Sequence, residues 1–495
     1  SVLPQLSKLM RGVRLPLPAP KKATNGLLFK FMISNKKTKI IATIGPSSEA
    51  EPILEKLIAL GIDGARLNFS HGSHEEQGNR IKLVRKICKK TGRHVAVIAD
   101  IQGPKIRIGN LPESGVTLKT GQTITIDTGT REFYEDRIPL PSLLFRDGTK
   151  EGHIVFLDDG TMQLKIISKR AGIFKAIVLK GGLLLPKKGV NVPSLEIKSG
   201  ILNAKDKADI EFAVKAGADF IALSFLRNAK DIKDARKFLG KAKIKIIAKI
   251  ERPEALSNIE EIIEEADAVM IARGDLGIET PLWELPVRQK EIIELVRSKT
   301  KPVIVATQML DSMIRNPIPT RAEVSDVANA VFDATDCVML SGESANGKYP
   351  VESVGMMVKI LEASDKHQEC LYENLDDRPD LLDPLSIARS AVHISEECQA
   401  EAILTEAVDE FFTKAISHFR PAAKIISAVP DEKSARIMAL IRGVIPVVSK
   451  NKRALESAKR VLEDLKVNQG SKIVCVQNAK AKGKVMANTI SVETL

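Results

Sequence analysis

The sequence is poor in aromatic residues and cysteine, and it lacks any long apolar run. Only 4% of its 495 residues are aromatic, with a single tryptophan among them. The five cysteines are scattered without a CxxC pair, so we expect reduced, mostly structural thiols rather than a disulfide framework. No stretch of eighteen or more apolar residues occurs, which argues against a membrane-spanning helix and a membrane partner.

Basic residues outnumber acidic residues in this chain. The chain has 75 Lys and Arg against 62 Asp and Glu, a formal net charge of +13. A basic protein can bind nucleic acid, but the scarcity of aromatics and the absence of a recognisable nucleic-acid-binding motif argue against that class. We expect a locally basic cleft for anionic metabolites, with the remaining lysines dispersed.

No acidic residue precedes Glu49. Within this acid-free region, residues 1–31 form a basic N-terminal extension that includes the segment LPLPAP but no sustained apolar stretch. Two interpretations stay open: a transit-peptide remnant, which would place the protein in an organelle, or a disordered extension before a start at Met32. We expect a cytoplasmic protein, with RNA binding by the extension as a further alternative.

From Lys37 to about Ser364, short apolar runs rich in β-branched residues alternate with helical patterns. Eight such units predict an α/β fold, a (β/α)8 TIM barrel built from residues 32–102 and 204–372. The predicted strands are Thr38–Ile44, Gly64–Phe69, His94–Asp100, Phe220–Phe225, Lys245–Ile250, Ala268–Ala272, Pro302–Thr307 and Cys337–Ser341.

Two further domains are predicted outside the barrel. Residues 103–203 contain period-two stretches such as HIVFLDDGTMQLKIIS, which indicate a small β-barrel inserted after the third strand as a lid. A hinged lid there can exclude water during chemistry. After a polar linker, residues 373–495 predict a C-terminal open α/β sandwich domain.

Polar side chains follow the carboxyl ends of the predicted barrel strands, where ligands bind in parallel α/β folds. Arg66 and Lys249 are suited to an anionic substrate, and Glu251 and Asp275 to a divalent cation such as Mg²⁺. Phosphoryl transfer fits this set because it needs cations, a metal and little covalent work. The other strand-end residues are Thr43, Asn68, Ser70, Asp100, Ser224, Arg273, Thr307, Ser341 and Glu343.

Seven segments resemble the signatures of the pyruvate kinase family, in the family's order. They are RLNFSHG (66–72), IQGPKIRIG (101–109), KKGVNVP (187–193), KIE (249–251), ARGDLGIE (272–279), ATQMLDSM (306–313) and MLSGESANGKYP (339–350). The resemblance covers the chain from Lys36 to about Leu495. It implies transfer of the phosphoryl group of phosphoenolpyruvate to ADP, giving pyruvate and ATP after protonation of the enolate. It also implies a homotetramer.

The resemblance implies roles for the matching residues. Lys249 would stabilise the transferring phosphoryl group and Arg66 would hold the phosphate. Gly274 and Thr307 would hold the substrate, with Thr307 assisting protonation. Glu251 and Asp275 would ligate Mg²⁺ or Mn²⁺, and Asp275 would also contact substrate. The remaining positions are the nucleotide contacts Asn68, His71, Arg107 and Lys188 and the proton relay Ser341 and Glu343.

Lys105 departs from the family pattern at a monovalent-cation site. In much of the family a K⁺ ion is caged by residues that match Asn68, Ser70, Asp100 and the carbonyl of Ile101. Members that require K⁺ usually carry Glu where this chain has Lys105. A lysine ammonium near the cage can supply the missing positive charge. We therefore expect activity that does not depend on K⁺.

The C-terminal domain departs from the family in a second place. Many relatives have a Ser/Thr/Gly-rich loop that cradles a sugar phosphate where this chain reads TEAVDEFFTKAISHFRP (405–421). Asp409 and Glu410 would repel phosphate, and Phe411 and Phe412 replace hydroxyl donors. We therefore expect no activation by fructose 1,6-bisphosphate.

Two rival functions share parts of this pattern. A Mg²⁺-dependent barrel lyase acting on pyruvate enolates could use the same acidic pair, but the lid with Arg107 and Lys188 argues against it. A catalytically silent relative would have lost Lys249, Glu251 or Thr307, and all are present.

Overall fold

The computed structural model describes residues 35–193, 195, 200–371, 382–406, 410–449, 461–462, 467–481 and 484–495. The N-terminal extension expected at residues 1–31 and most of the predicted linker lie outside this range. None of the helices in these ranges combines the length and the hydropathy needed to cross a membrane.

Eight parallel strands close a barrel in the order β1-β2-β3-β13-β14-β15-β16-β17, which confirms the predicted (β/α)8 fold. Every residue of β3, β13 and β17 is buried. This fits the apolar runs from which parallel strands were predicted. The strands are β1 Lys39–Thr43, β2 Gly64–Asn68, β3 Ala96–Ile101, β13 Phe220–Leu223, β14 Lys245–Ile250, β15 Ala268–Ala272, β16 Val303–Ala306 and β17 Cys337–Leu340.

Helices surround this barrel, and local capping sets several of their starts. In α2 the Ser73 side chain accepts from the backbone of Glu76, whose carboxylate accepts from the backbone of Ser73. The helices are α1 Glu51–Leu60, α2 His74–Thr91, α4 Ala204–Lys215, α5 Ala229–Leu239, α6 Pro253–Ser257, α7 Ile259–Glu265, α8 Arg273–Glu279, α9 Leu285–Ser298, α10 Arg321–Phe332, α11 Gly342–Ala345 and α12 Pro350–Asp365, with a 3₁₀ helix at Asp311–Ile314.

Apolar residues at helical spacing predict one helix over residues 253–266, and that prediction is wrong. The segment is divided into α6 and α7 at Asn258. The Asn258 side chain donates to the carbonyl of Arg227 at 2.9 Å, and its backbone leaves the helical region. Asparagine competes with helix continuation in this way, which the apolar spacing alone did not reveal.

The inserted segment between β3 and α4 is a β domain with its own apolar core. Seven strands pair in the order β4-β12-β8-β9-β10-β6-β7, and β5 pairs with β11. Phe145 and Phe174 pack edge to face inside it, with ring centroids 5.0 Å apart. The elements are β4 Ile106–Arg107, β5 Val116–Leu118, β6 Thr123–Asp127, β7 Arg137–Pro139, α3 Leu143–Gly148, β8 Ile154–Leu157, β9 Met162–Arg170, β10 Ile173–Lys180, β11 Gly182–Leu184 and β12 Gly189–Asn191.

The C-terminal domain is a five-stranded sheet in the order β20-β19-β18-β21-β22. The apolar runs Ala402–Thr405, Ile425–Val429, Val444–Val448 and Lys472–Gln477 predict four strands, and these four are parallel. The fifth strand, β22, pairs antiparallel with β21. Its sequence, KVMANTISVET, interleaves polar residues as an edge strand does, so it lacks an apolar run. The elements are α13 Leu382–Glu397, β18 Ala402–Glu406, α14 Glu410–His418, β19 Lys424–Val429, α15 Glu432–Met438, β20 Val444–Val448, β21 Lys472–Ala481 and β22 Lys484–Thr494.

This domain covers the amino-terminal end of the barrel. Ile437 and Leu440 join the apolar cluster inside the barrel. Arg436 donates to Asp219 at 2.9 Å, and the buried Arg420 donates to Asp336 at 2.8 Å. The carboxyl ends of the strands face the other way, toward the inserted β domain.

Candidate active site

Lys249 lies at the centre of the barrel mouth, where three strand ends meet. Its Nζ lies 2.8 Å from Ser224 Oγ, 3.2 Å from Asp100 Oδ1 and 2.7 Å from Glu251 Oε1. Burial lowers the pKa of Lys249, but Asp100 and Glu251 raise it more, and the net shift is upward. The lysine is therefore a fixed positive charge.

Asp100 holds a second cation beside the first. Its Oδ2 accepts from Arg66 Nε at 2.6 Å, and Arg66 also donates to Thr43 Oγ1 at 3.0 Å. Burial raises the pKa of Asp100, but the charges of Lys249 and Arg66 lower it by more. The net shift is downward, so the carboxylate stays ionised. One carboxylate thus positions two cations, as an anionic substrate requires.

Glu251 and Asp275 come from neighbouring strand ends. Glu251 Oε2 accepts from the backbone of Phe225 at 2.8 Å, and its buried Oε1 lies 2.7 Å from Lys249 Nζ. Burial raises the pKa of Glu251, and the charge of Asp275 adds to the shift. The raised pKa reflects two carboxylates that share one region, which a divalent cation would stabilise in their ionised form.

These two carboxylates suit Mg²⁺, which does not need a site made only of protein ligands. In the part of the chain that the structure describes, no group of three or more His, Cys, Asp or Glu is arranged to hold a metal ion. Mg²⁺ commonly takes one or two carboxylates and completes its shell with water and substrate oxygens. Mn²⁺ accepts the same oxygen ligands.

Thr307 has a strained backbone. Its φ is 71°, in the left-handed region, where a β-branched residue is an outlier. Its Oγ1 accepts from Gly274 N at 2.7 Å, so this backbone N–H is engaged within the protein. The Arg273 guanidinium donates to the Thr307 carbonyl at 2.8 Å and to Asp326 at 2.7 Å. Arg273 was placed at a strand end by sequence, but its role as the residue that holds Thr307 was missed.

Glu343 is buried and fixes two loops of the mouth. Its carboxylate accepts from the backbone of Ser341 at 2.7 Å and of Leu310 at 3.0 Å. Among the described residues, the buried Ser341 hydroxyl has no hydrogen-bond partner. Burial raises the pKa of Glu343.

The expected nucleotide contacts come from both sides of the mouth. His71 lies on the barrel side, where burial and then the charges of Arg107 and Lys105 lower its pKa. Arg107 donates to the carbonyl of Lys187 at 3.3 Å. Lys188, however, is paired with Asp158 at 2.8 Å.

The residues expected to cage a monovalent cation are already bonded to protein groups. The Asn68 side chain accepts from the backbone of Ser70 at 3.0 Å, and the carbonyl of Ile101 accepts from Ser224 at 2.8 Å. Lys105 extends from the lid to Asp275, with 3.5 Å between Nζ and Oδ1. It faces the mouth rather than solvent, with 21% of its side chain exposed.

A second contact joins the lid to α8. Asn191 Nδ2 donates to Glu279 Oε1 at 3.3 Å. The other oxygen, Oε2, is buried and has no hydrogen-bond partner within the part of the chain that the structure describes. Burial raises the pKa of Glu279 to about 7. Sequence reasoning gave neither residue a role, because nothing local signals a contact across 88 positions.

Comparison with known proteins places both halves of this architecture in one family. A family model described as pyruvate kinase, barrel domain, matches residues 35–354, and one described as pyruvate kinase, alpha/beta domain, matches residues 385–493. A pyruvate kinase of Geobacillus stearothermophilus is 42% identical over 447 residues, covering 88% of this chain and 75% of the relative. Relatives of the same name from Staphylococcus epidermidis and Agrobacterium vitis are 38% and 40% identical, covering 92% and 86% of this chain and 80% and 89% of their own lengths.

Proposed function

The chain belongs to the pyruvate kinase family and is an enzyme with that activity, and on this premise we propose how its barrel mouth carries out the reaction. The phosphoryl group of phosphoenolpyruvate passes to ADP, giving ATP and an enolate that is protonated to pyruvate. The observation that carries the residue assignments is the pair of cations, Lys249 and Arg66, held on the two oxygens of Asp100.

Lys249 and Arg66 bind and neutralise the phosphoryl group. Lys249 is buried and permanently charged, so it stabilises the negative charge of the transferring group without rearranging. Arg66 presents a planar guanidinium, which matches phosphate oxygens. Their shared anchor on Asp100 fixes the distance between them.

Glu251 and Asp275 would hold Mg²⁺ or Mn²⁺. When bound, the ion neutralises charge on carboxylate and phosphate oxygens of the substrate and orients them. Asp275 contributes from the first turn of α8, where its neighbour Gly274 leaves room for the substrate. Lys105 Nζ lies 3.5 Å from one oxygen of Asp275, Oδ1, and the other oxygen would ligate the ion.

Thr307 supports the protonation step. Its hydroxyl is held at the mouth by Gly274 and by the carbonyl of Ala306 at 2.5 Å. The buried Ser341 hydroxyl needs a partner, and a water molecule could connect it to the enolate. Glu343 orients this relay through the backbone of Ser341.

Asn68, His71, Arg107 and Lys188 contact the nucleotide. The first two lie on the barrel and the last two on the lid, so a bound nucleotide bridges the domains. Lys188 would exchange Asp158 for a phosphate oxygen, an exchange that ion pairs near the surface allow at small cost.

Lys105 makes the reaction independent of K⁺. Its ammonium lies 3.5 Å from Asp275 Oδ1 at the barrel mouth. The residues that match the K⁺ cage of other family members are Asn68, Ser70, Asp100 and Ile101. Because the ammonium is covalently attached, no separate cation has to bind.

We also propose a homotetramer that works in the cytoplasm. Leu282, Trp283 and Val287 are 68%, 82% and 56% exposed beside the start of α9, and a neighbouring copy would bury them. Light scattering should give four times the mass of one chain, and Trp283→Glu should lower it. A wild-type monomer would contradict the proposal.

A lactate dehydrogenase-coupled assay tests the central assignment. Pyruvate should form from phosphoenolpyruvate only when both ADP and Mg²⁺ or Mn²⁺ are present, and EDTA should abolish it. Pyruvate formation without ADP would indicate a phosphatase or lyase instead.

A further inference from the structure

A cavity of about 450 Å³ opens in the inserted β domain beside β4. Its volume lies within the range of small-molecule sites. The lining combines the segment from Lys105 to Asn110 with Arg131, Lys187, Pro141 and Ser142. Lys105, one of the lining residues, also lies 3.5 Å from Asp275 at the barrel mouth.

Every charged side chain that lines this cavity is basic. The four are Lys105, Arg107, Arg131 and Lys187. Within the described ranges, Arg107, Arg131 and Lys187 form no ion pair with a carboxylate, whereas Lys188, next in the chain, pairs with Asp158. An uncompensated group of cations around a cavity attracts an anion.

Two backbone features hold Arg131 and Lys187 at the cavity. Arg131 contributes its carbonyl to Asn110 N at 2.7 Å, and Asn110 also binds the neighbouring carboxylate of Glu132 at 2.7 Å. A Cβ on Gly109 would lie 2.6 Å from the Arg131 carbonyl oxygen, so glycine is required for this close approach. Lys187 has a φ of 62°, a strained conformation for a residue with a side chain.

We propose that Arg131 and Lys187 bind the phosphates of the nucleoside diphosphate, together with Arg107. The inference rests on the proposed function and extends its nucleotide site to two residues that no family motif assigns this role. The diphosphate carries several negative charges, and Arg131 offers a planar donor pair suited to phosphate oxygens. Because Asp158 already neutralises Lys188, Arg131 and Lys187 offer a phosphate more positive charge than Lys188 does.

The double variant Arg131→Gln with Lys187→Gln tests this. The KM for ADP should rise by about tenfold or more, since each substitution removes a charge-assisted contact. The KM for phosphoenolpyruvate should change by less than about twofold, because that substrate lies on Arg66 and Lys249. A fluorescent ADP analogue titrated with Mg²⁺ present should show the same loss of affinity.

Lys165→Gln with Lys175→Gln is the matched control. These exposed lysines belong to the same β domain and give the same change in charge, but they do not line the cavity. An equal rise in the KM for ADP in both double variants would refute a specific site, because it would reflect the net charge of the lid alone. An unchanged KM for ADP would refute it directly.

The wild-type assay separates this proposal from the proposed function. If wild type forms no pyruvate from phosphoenolpyruvate and ADP, the proposed function fails. If wild type is active and the cavity variant binds ADP normally, only the present inference fails. Arg131→Lys, which keeps the charge, should recover part of the affinity, and thermal denaturation should be unchanged in each folded variant.

Discussion

The Arg273 guanidinium donates to the Thr307 carbonyl at 2.8 Å and stabilises a left-handed backbone with φ of 71°. Its second nitrogen pairs with Asp326 on α10. A residue in this conformation persists only where its surroundings hold it. We therefore expect Arg273 to influence the reaction through its hold on Thr307.

Arg273→Lys should damage both activity and stability. Lysine cannot reach the Thr307 carbonyl and Asp326 together in the geometry of a guanidinium. We expect kcat to fall roughly tenfold or more and the free energy of unfolding to drop by about 1–3 kcal/mol. Steady-state kinetics and urea denaturation measure the two effects, with Arg288→Lys on the exposed face of α9 as the control. Full activity would show that Thr307 needs no such support.

Lys249→Met should remove most phosphoryl transfer. The fixed charge at the transferring group is lost, so kcat should fall by about 10²–10³-fold or more. Exchange of the methyl protons of pyruvate with D₂O, followed by NMR, should persist because it needs Thr307 and not the phosphoryl group. Loss of both activities with an unchanged fold would show that Lys249 does more than stabilise phosphoryl charge, and near-normal turnover would overturn its assignment.

Wild-type enzyme should work in sodium or tetramethylammonium buffer. Because Lys105 carries the charge, replacing these ions with K⁺ should raise the rate by less than roughly tenfold. Lys105→Glu should create K⁺ dependence, whereas Lys119→Glu, an exposed lid lysine, should not. Strong K⁺ activation of the wild-type enzyme would contradict the role given to Lys105.

Glu279→Gln should alter how stability depends on pH. Burial raises the pKa of Glu279 from 4.5 to about 7, so the folded protein binds this proton more tightly than the unfolded chain. Stability contributed by the protonated acid is present below pH 4.5 and decreases as pH rises toward 7, by about 3 kcal/mol at most. Glutamine keeps the Asn191 contact without ionising.

The stability difference between Glu279→Gln and wild type should therefore grow from pH 5 to pH 7 and then level off. Urea midpoints measured across about pH 5 to 8 give this difference. Glu291→Gln, an exposed residue on α9, should show no such trend. A constant difference between Glu279→Gln and wild type would mean that Glu279 is ionised throughout.

Fructose 1,6-bisphosphate should not activate the enzyme. Asp409 lies outside the described residues, but Glu410 is ionised and paired with Lys245 at 3.0 Å and Lys414 at 3.3 Å. Phe412 is buried and offers no hydroxyl to a phosphate. The half-saturation concentration of phosphoenolpyruvate should be the same with and without the sugar phosphate, and a clear decrease would contradict this.

Much of the fold could be predicted because its signals are local. Buried parallel strands require β-branched apolar runs, and the predicted run from Lys245 to Ile250 coincides with β14. The division at Asn258 and the edge strand β22 were missed because both depend on distant partners. A side-chain hydrogen bond to a distant carbonyl decides the first, and pairing with the neighbouring strand β21 decides the second. The motif residues could be named from sequence, while their mutual distances could not.

The sequence by itself determined which chemical groups reach the barrel mouth, because strand ends in a parallel barrel share one face. Only the tertiary structure decided how those groups are paired. Closure of the barrel brings Lys249 to Asp100 across 149 positions, and packing of the lid brings Lys105 to Asp275 across 170. Such pairs depend on long-range packing that no local pattern encodes. They hold Lys249 beside Asp100 and Lys105 beside Asp275 at the barrel mouth.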